Sequence, residues 1–84
     1  MKDTLLIKVR CFSQVKYALE KDKLTITLPV GSTTGDLENT IRQMAKNKLD
    51  RIHLRVAVNQ TYIDQPVLLK DGDEVALIPP VQGG

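Results

Sequence analysis

Side chains able to do chemistry are sparse in this chain of 84 residues, which holds one cysteine, Cys11, and one histidine, His53. No Cys/His pair stands at motif spacing, no Ser-His-Asp pattern is present, and no glycine-rich loop is placed to cradle phosphate. A lone His53 reads as a structural or exposed residue rather than a metal ligand. Asp71, Asp73 and Glu74 surround Gly72. Acids are common beside a turn glycine for conformational reasons, and an EF-hand site would need a longer loop closed by a glutamate. No metal site is expected.

Residues 79–84 suggest chemistry of another kind: Pro79-Pro80-Val81-Gln82-Gly83-Gly84. Two prolines stiffen the exit from whatever precedes them and set an extended direction. Two glycines then follow with no Cβ atoms. Such a pair can thread a narrow channel and bring the Gly84 carboxylate against another enzyme's reactive group, where a larger side chain at Gly83 would collide. A frayed tail would also contain glycine. Taken alone, the pair leaves both readings open.

The elements that would carry this tail are legible from periodicity. Leu5, Ile7, Val9 and Cys11 fall on one side with Lys8, Arg10 and Phe12 on the other, the period of two that marks a strand with one buried face. Cys11 then reads as a small buried hydrophobe and not as a nucleophile. Residues 13–20 suit a short helix with Val15, Ala18 and Leu19 on one face and Ser13 as its cap. A second strand, 23–28, turns Leu24, Ile26 and Leu28 inward, ends at Pro29 and Gly31, and pairs antiparallel with the first. Ser32-Thr33-Thr34-Gly35-Asp36 opens the main helix, residues 34–47, with Leu37, Ile41, Met44 and Ala45 as its apolar stripe. Glu38, Asn39, Arg42 and Gln43 occupy the opposite face. Leu54–Asn59 is a third strand with Leu54, Val56 and Val58 inward, Asn59-Gln60 a turn, and Tyr62-Ile63 a short strand interrupted by Pro66. Lys70-Asp71-Gly72-Asp73 is a second turn, and Glu74–Ile78 is the last strand. Strands split around one long helix predict an α+β roll, a mixed sheet packed on that helix. Residues 1–78 form this domain and 79–84 its flexible tail.

Composition narrows the function classes. Apolar residues at 42% and charged residues at 26% are ordinary for a globular domain. A chain this short buries only about 60–65% of its unfolded surface, which disfavours a deep enclosed pocket. The net charge of +2 comes from acids and bases that alternate, as in Glu20-Lys21-Asp22-Lys23. That pattern reads as a solvated mixed surface and not as a nucleic-acid site. One cysteine excludes an internal disulfide. No apolar run approaches a membrane span, and Met1-Lys2-Asp3-Thr4 does not open a signal peptide, so the cytosol is the expected location.

Strand parity adds a docking surface. Phe12 falls on the outward side of the first strand with Lys8 and Arg10. Ala76 and Ile78 face outward on the last strand beside Glu74, and Tyr62 follows a turn. If these strands are neighbours, Phe12, Tyr62 and Ile78 form an apolar patch on the open face of the sheet, next to the tail.

The run Asp71-Gly72-Asp73-Glu74-Val75-Ala76-Leu77-Ile78-Pro79-Pro80-Val81-Gln82-Gly83-Gly84 resembles, almost residue for residue, the terminal signature of the molybdopterin synthase small-subunit family. Val56-Ala57-Val58-Asn59-Gln60 is similar to that family's third strand and turn, and Ile7-Lys8-Val9 through Phe12 to its opening. Residues 20–23 lack the glycine often found there after the first helix. The resemblance implies the ubiquitin-like β-grasp fold and a sulfur carrier with no catalysis of its own. No cofactor would be bound permanently. An activating enzyme would use ATP to adenylate the Gly84 carboxylate, which then becomes a thiocarboxylate. Residues Pro79, Pro80, Val81 and Gln82 would enter the large catalytic subunit in a heterotetramer of two small and two large subunits. The sulfur would attack a cyclic pyranopterin precursor, two loaded carriers being used per dithiolene. A thiocarboxylate is a soft nucleophile, ionised at neutral pH, so the absence of an acid/base constellation fits. The same fold and Gly-Gly pair serve carriers of the thiamine and cysteine pathways and ubiquitin-related modifiers. The Pro79-Pro80 pair and the Asp-Gly-Asp-Glu-Val run favour the molybdopterin branch. A plain interaction module with an unmodified tail is the reading from a different class.

Overall fold

A computed structural model describes residues 3–80. The elements run β1 (Thr4–Cys11), α1 (Ser13–Leu19), β2 (Lys23–Pro29), α2 (Thr34–Met44), β3 (Arg55–Val58), β4 (Thr61–Ile63) and β5 (Glu74–Ile78). The five strands form one mixed sheet in the order β2-β1-β5-β3-β4. β5 sits at its centre, parallel to β1 and antiparallel to β3. β1 and β2 pair antiparallel from Thr4↔Pro29 to Arg10↔Lys23, with α1 in the connection between them.

The alternation read from β1 is the alternation observed: Leu5, Ile7, Val9 and Cys11 are buried and their neighbours exposed. These four pack with Val56, Val75 and Leu77 from the sheet, with Leu37 and Ile41 from α2 and with Ala45 just after it. Ile7, Leu37, Ile41 and Leu77 are fully buried, each contributing about 1.5–3 kcal/mol by burial. One main helix on one face of a mixed sheet is the expected β-grasp roll.

Local expectations are corrected at Ser13, at the end of the main helix with Met44, and at Arg42. Ser13 does not cap α1; Phe12 holds the cap position and no side chain bonds to the free amides there. The position after α1 where a glycine is often found is Glu20, and it adopts φ 59°, ψ 32°, the left-handed conformation that favours glycine. The main helix ends at Met44, not at 47, and Met44 is 46% exposed. Leu37, Ile41 and Ala45 recur every fourth residue and fill the buried stripe, which leaves Met44 at its edge. Arg42 does not simply face solvent. It pairs with Glu38 at 2.9 Å and donates to the carbonyls of Leu49 and Ile52, both at 2.7 Å, tying α2 to the turns at 45–52.

The start of α2 is secured by a capping box. The Thr33 hydroxyl accepts from the Asp36 amide, and the Asp36 carboxylate accepts from the Thr33 amide at 2.9 Å. The β3–β4 hairpin turns on Asn59 and Gln60, both with positive φ (49° and 72°), as a tight two-residue turn between Val58↔Thr61 requires.

Candidate functional site

The acids around Gly72 build the support from which β5 starts. Gly72 has φ 87°, its amide donates to the Leu6 carbonyl at 2.8 Å, and Asp71 accepts the Leu6 amide at 2.8 Å. The turn so grips the outer end of β1. The Asp73 carboxylate accepts the Lys70 amide at 2.8 Å and the Asn59 side-chain amide at 3.0 Å. Asn59 in turn accepts from the Glu74 amide at 3.0 Å. The motif therefore aligns β5 between β1 and the β3–β4 hairpin. Among the described residues no group of acids, cysteines and histidine is arranged to hold a metal ion.

From that start β5 runs through the middle of the sheet to Ile78, which pairs with Arg55. Pro79 is buried and Pro80 exposed, so of these two predicted partner contacts only Pro80 presents its ring to solvent. Val81, Gln82, Gly83 and Gly84 lie outside the described residues.

The open face of the sheet brings the predicted patch together. Register sets Arg10, Ala76, Ala57 and Tyr62 in one row across β1, β5, β3 and β4. Ala57 and Ala76 have no bulk, so the row sinks at its centre. Phe12, Tyr62 and Ile78 line the resulting shallow depression of about 190 Å³ with Arg10, Gln60 and Glu74. Phe12 is 37% exposed and Tyr62 52%. Each ring carries a cation: the Arg10 guanidinium lies 5.5 Å from the Phe12 centroid and that of Arg55 4.1 Å from the Tyr62 centroid, within cation–π range.

Other chemistry-bearing residues stay apart. Cys11 is buried on the helix side of the sheet. Burial, then the charge of Asp22, pushes its thiol above the ordinary range and keeps it neutral. His53 is exposed. A larger hollow of about 320 Å³ beside the start of α2 includes His53, Asp64 and Glu38, but Glu38 is already paired with Arg42.

Sequence reasoning missed three contributors to the open face. Arg10 and Arg55 are visible in the alternation as outward residues, but their stacking on rings depends on cross-strand register. Ala57 faces outward in the row yet is buried, 5% exposed, so β3 hides residues on both faces, whereas the sequence suggests Leu54, Val56 and Val58 alone. Val58 is only half-buried.

The model of the ThiS family matches residues 9–84. The chain belongs to the ThiS family. Among relatives of known role, the molybdopterin synthase sulfur carrier subunit of Dictyostelium discoideum is 36% identical over 81 residues, spanning 92% of this chain and 94% of that one. A putative molybdopterin converting factor subunit 1 from Pyrococcus furiosus superposes with a TM-score of 0.81 at 29% identity, over 92% of this chain and 99% of the other. A chain of the complex of subunits 1 and 2 of molybdopterin-converting factor from Helicobacter pylori gives 0.66 at 26% identity, over 95% and 100%. These ThiS-type and converting-factor likenesses extend along the whole fold. The described residues contain no helix long and apolar enough to cross a membrane.

Proposed function

We propose that this ThiS-family chain is the sulfur carrier subunit of a molybdopterin synthase and acts in the cytosol. The observation that carries the reading is the full-length similarity to carriers of that name, joined to the signature at 71–84 with its Gly83-Gly84 pair. The site as described supports it: β5, held at the centre of the sheet, runs toward the C-terminal residues, with the depression lined by Phe12, Tyr62 and Ile78 on the open face beside it.

The proposed chemistry begins at the Gly84 carboxylate, a poor electrophile until an oxygen becomes a good leaving group. A partner enzyme supplies ATP; the carboxylate attacks the α-phosphate, forming an acyl-adenylate and releasing pyrophosphate. Sulfide-level sulfur delivered through that enzyme attacks the acyl carbon, AMP leaves, and a thiocarboxylate remains. Residues 80–84 then enter the large subunit, where the sulfur attacks a carbon of the cyclic pyranopterin precursor and displaces an oxygen substituent, leaving Gly84 joined to the precursor as a thioester. Water then cleaves the acyl C–S bond of that thioester, leaving the sulfur on the precursor as a thiolate and Gly84 as a carboxylate. Two loaded carriers supply the two sulfurs of one dithiolene, in keeping with an assembly of two small and two large subunits. Gly83 serves as clearance in the partner's channel, and Phe12, Tyr62 and Ile78 anchor the partner, with Pro80, Val81 and Gln82 guiding the tail.

Incubating the chain with ATP and its activating enzyme tests the first step. Pyrophosphate release is expected with the parent and none with the chain lacking Gly84. Equal release from both would overturn the reading.

A further inference from the structure

The open face is more basic than the chain as a whole. Outward positions of the strands carry four cations, Lys8, Arg10, Lys23 and Arg55, against one anion, Glu74. The net charge of the entire chain is only +2. The outward strand positions therefore carry more positive charge than the chain as a whole. Mixed charge along the sequence becomes uneven charge in space because nine of the ten acids, all but Glu74, lie outside the strands.

Two of these cations are poised and unused. Stacking fixes the Arg10 and Arg55 guanidinium groups against Phe12 and Tyr62. Neither takes part in a hydrogen bond or ion pair with another described residue, although an arginine fork carries about five N–H donors. Arg10 lines the alanine-floored depression of about 190 Å³ directly, and Arg55 borders it only through the Tyr62 ring that it stacks on. That volume is below the roughly 300–1,000 Å³ of a small-molecule site and of a size to take protruding side chains. An oriented guanidinium matches a carboxylate in a two-bond fork, and Arg and Tyr at the edge of an apolar centre are the residue types that dominate protein interfaces.

We propose that Arg10 and Arg55 make this face a socket for an acidic-rimmed apolar projection on the large subunit, whose carboxylates take the two guanidinium forks. The proposal rests on the functional reading above and deepens it by stating the chemistry of the partner surface. A track for nucleic acid is disfavoured by the apolar floor and by Glu74 on its margin.

The test is calorimetric titration of the parent, Arg10→Leu, Arg55→Leu and the double variant against the large subunit of the same organism, at about 50 mM and about 500 mM salt. Each single variant is expected to weaken binding by roughly tenfold or more at low salt. The double variant is expected to lose most of the salt dependence of the parent. Arg10→Lys and Arg55→Lys should recover part of the loss, since they keep charge without the fork. Lys46→Gln, away from the face, should bind as the parent does and so exclude a general charge effect. Both arginines are exposed, and unchanged melting temperatures would show that the variants fold. Parent affinity in both leucine variants would overturn the socket while leaving the carrier reading intact. A parent that does not bind the large subunit at all would overturn both. Random-sequence RNA bound tightly by the parent and lost in the variants, with large-subunit affinity unchanged, would also overturn it.

Discussion

At Gly83 the expected defect is steric. Gly83→Leu should reduce activation or transfer by at least an order of magnitude, because a branched side chain collides where a bare backbone passes. Thermal melting should be nearly unchanged. A large fall in melting temperature with normal transfer would mean that the glycine serves the fold. Cys11 gives a second residue-scale expectation, this one dependent on pH. Its folded pKa is raised by burial, so the unfolded chain loses the thiol proton first. The corresponding stability is fully present below the ordinary thiol value of 9.0 and is lost as pH rises from there through the folded pKa. Urea midpoints measured across that range should fall for the parent and fall less for Cys11→Ala, after allowance for its lower baseline. Equal slopes in the two proteins would show that Cys11 does not titrate differently on folding.

At the scale of elements, the turn before β5 is the decisive part. Asp73→Ala removes the acceptor for the Lys70 amide and the Asn59 side chain, and should cost about 1–3 kcal/mol. For a domain of this size each kcal/mol lowers the melting temperature by about 4–8 °C. An unchanged melt would mean that these acids are not structural and would reopen a binding role for them. Much of this turn was legible: Gly72 between acids announces a positive φ, and β5 has the observed limits Glu74–Ile78. The acids' partners were not legible, because Leu6 and Asn59 are brought to them only by the parallel β1–β5 pairing and the hairpin. The same holds for Arg42. Its i,i+4 partner Glu38 can be read from the chain, whereas the carbonyls of Leu49 and Ile52 depend on how residues 45–52 fold back. Met44 fits the helical period but loses its place in the stripe to Ala45, because the sheet covers a narrower arc of α2 than the period alone suggests.

For the whole molecule, alternation along each strand was enough to specify which residues face α2 and which face away, and so the roll itself. The order β2-β1-β5-β3-β4 is what places Phe12, Tyr62 and Ile78 around one depression, a juxtaposition of residues far apart in the chain. Phe12→Ala and Ile78→Ala should each weaken large-subunit binding by about 1–3 kcal/mol with the fold retained. Unchanged affinity in both would remove the anchoring role. The central claim concerns Gly84, and the intact mass of the native protein isolated from its own cells addresses it most directly. A fraction of the protein is expected to be heavier by the replacement of one oxygen by sulfur, with fragmentation placing the change on Gly84. Only unsubstituted carboxylate at Gly84, in cells actively making the molybdenum cofactor, would contradict it.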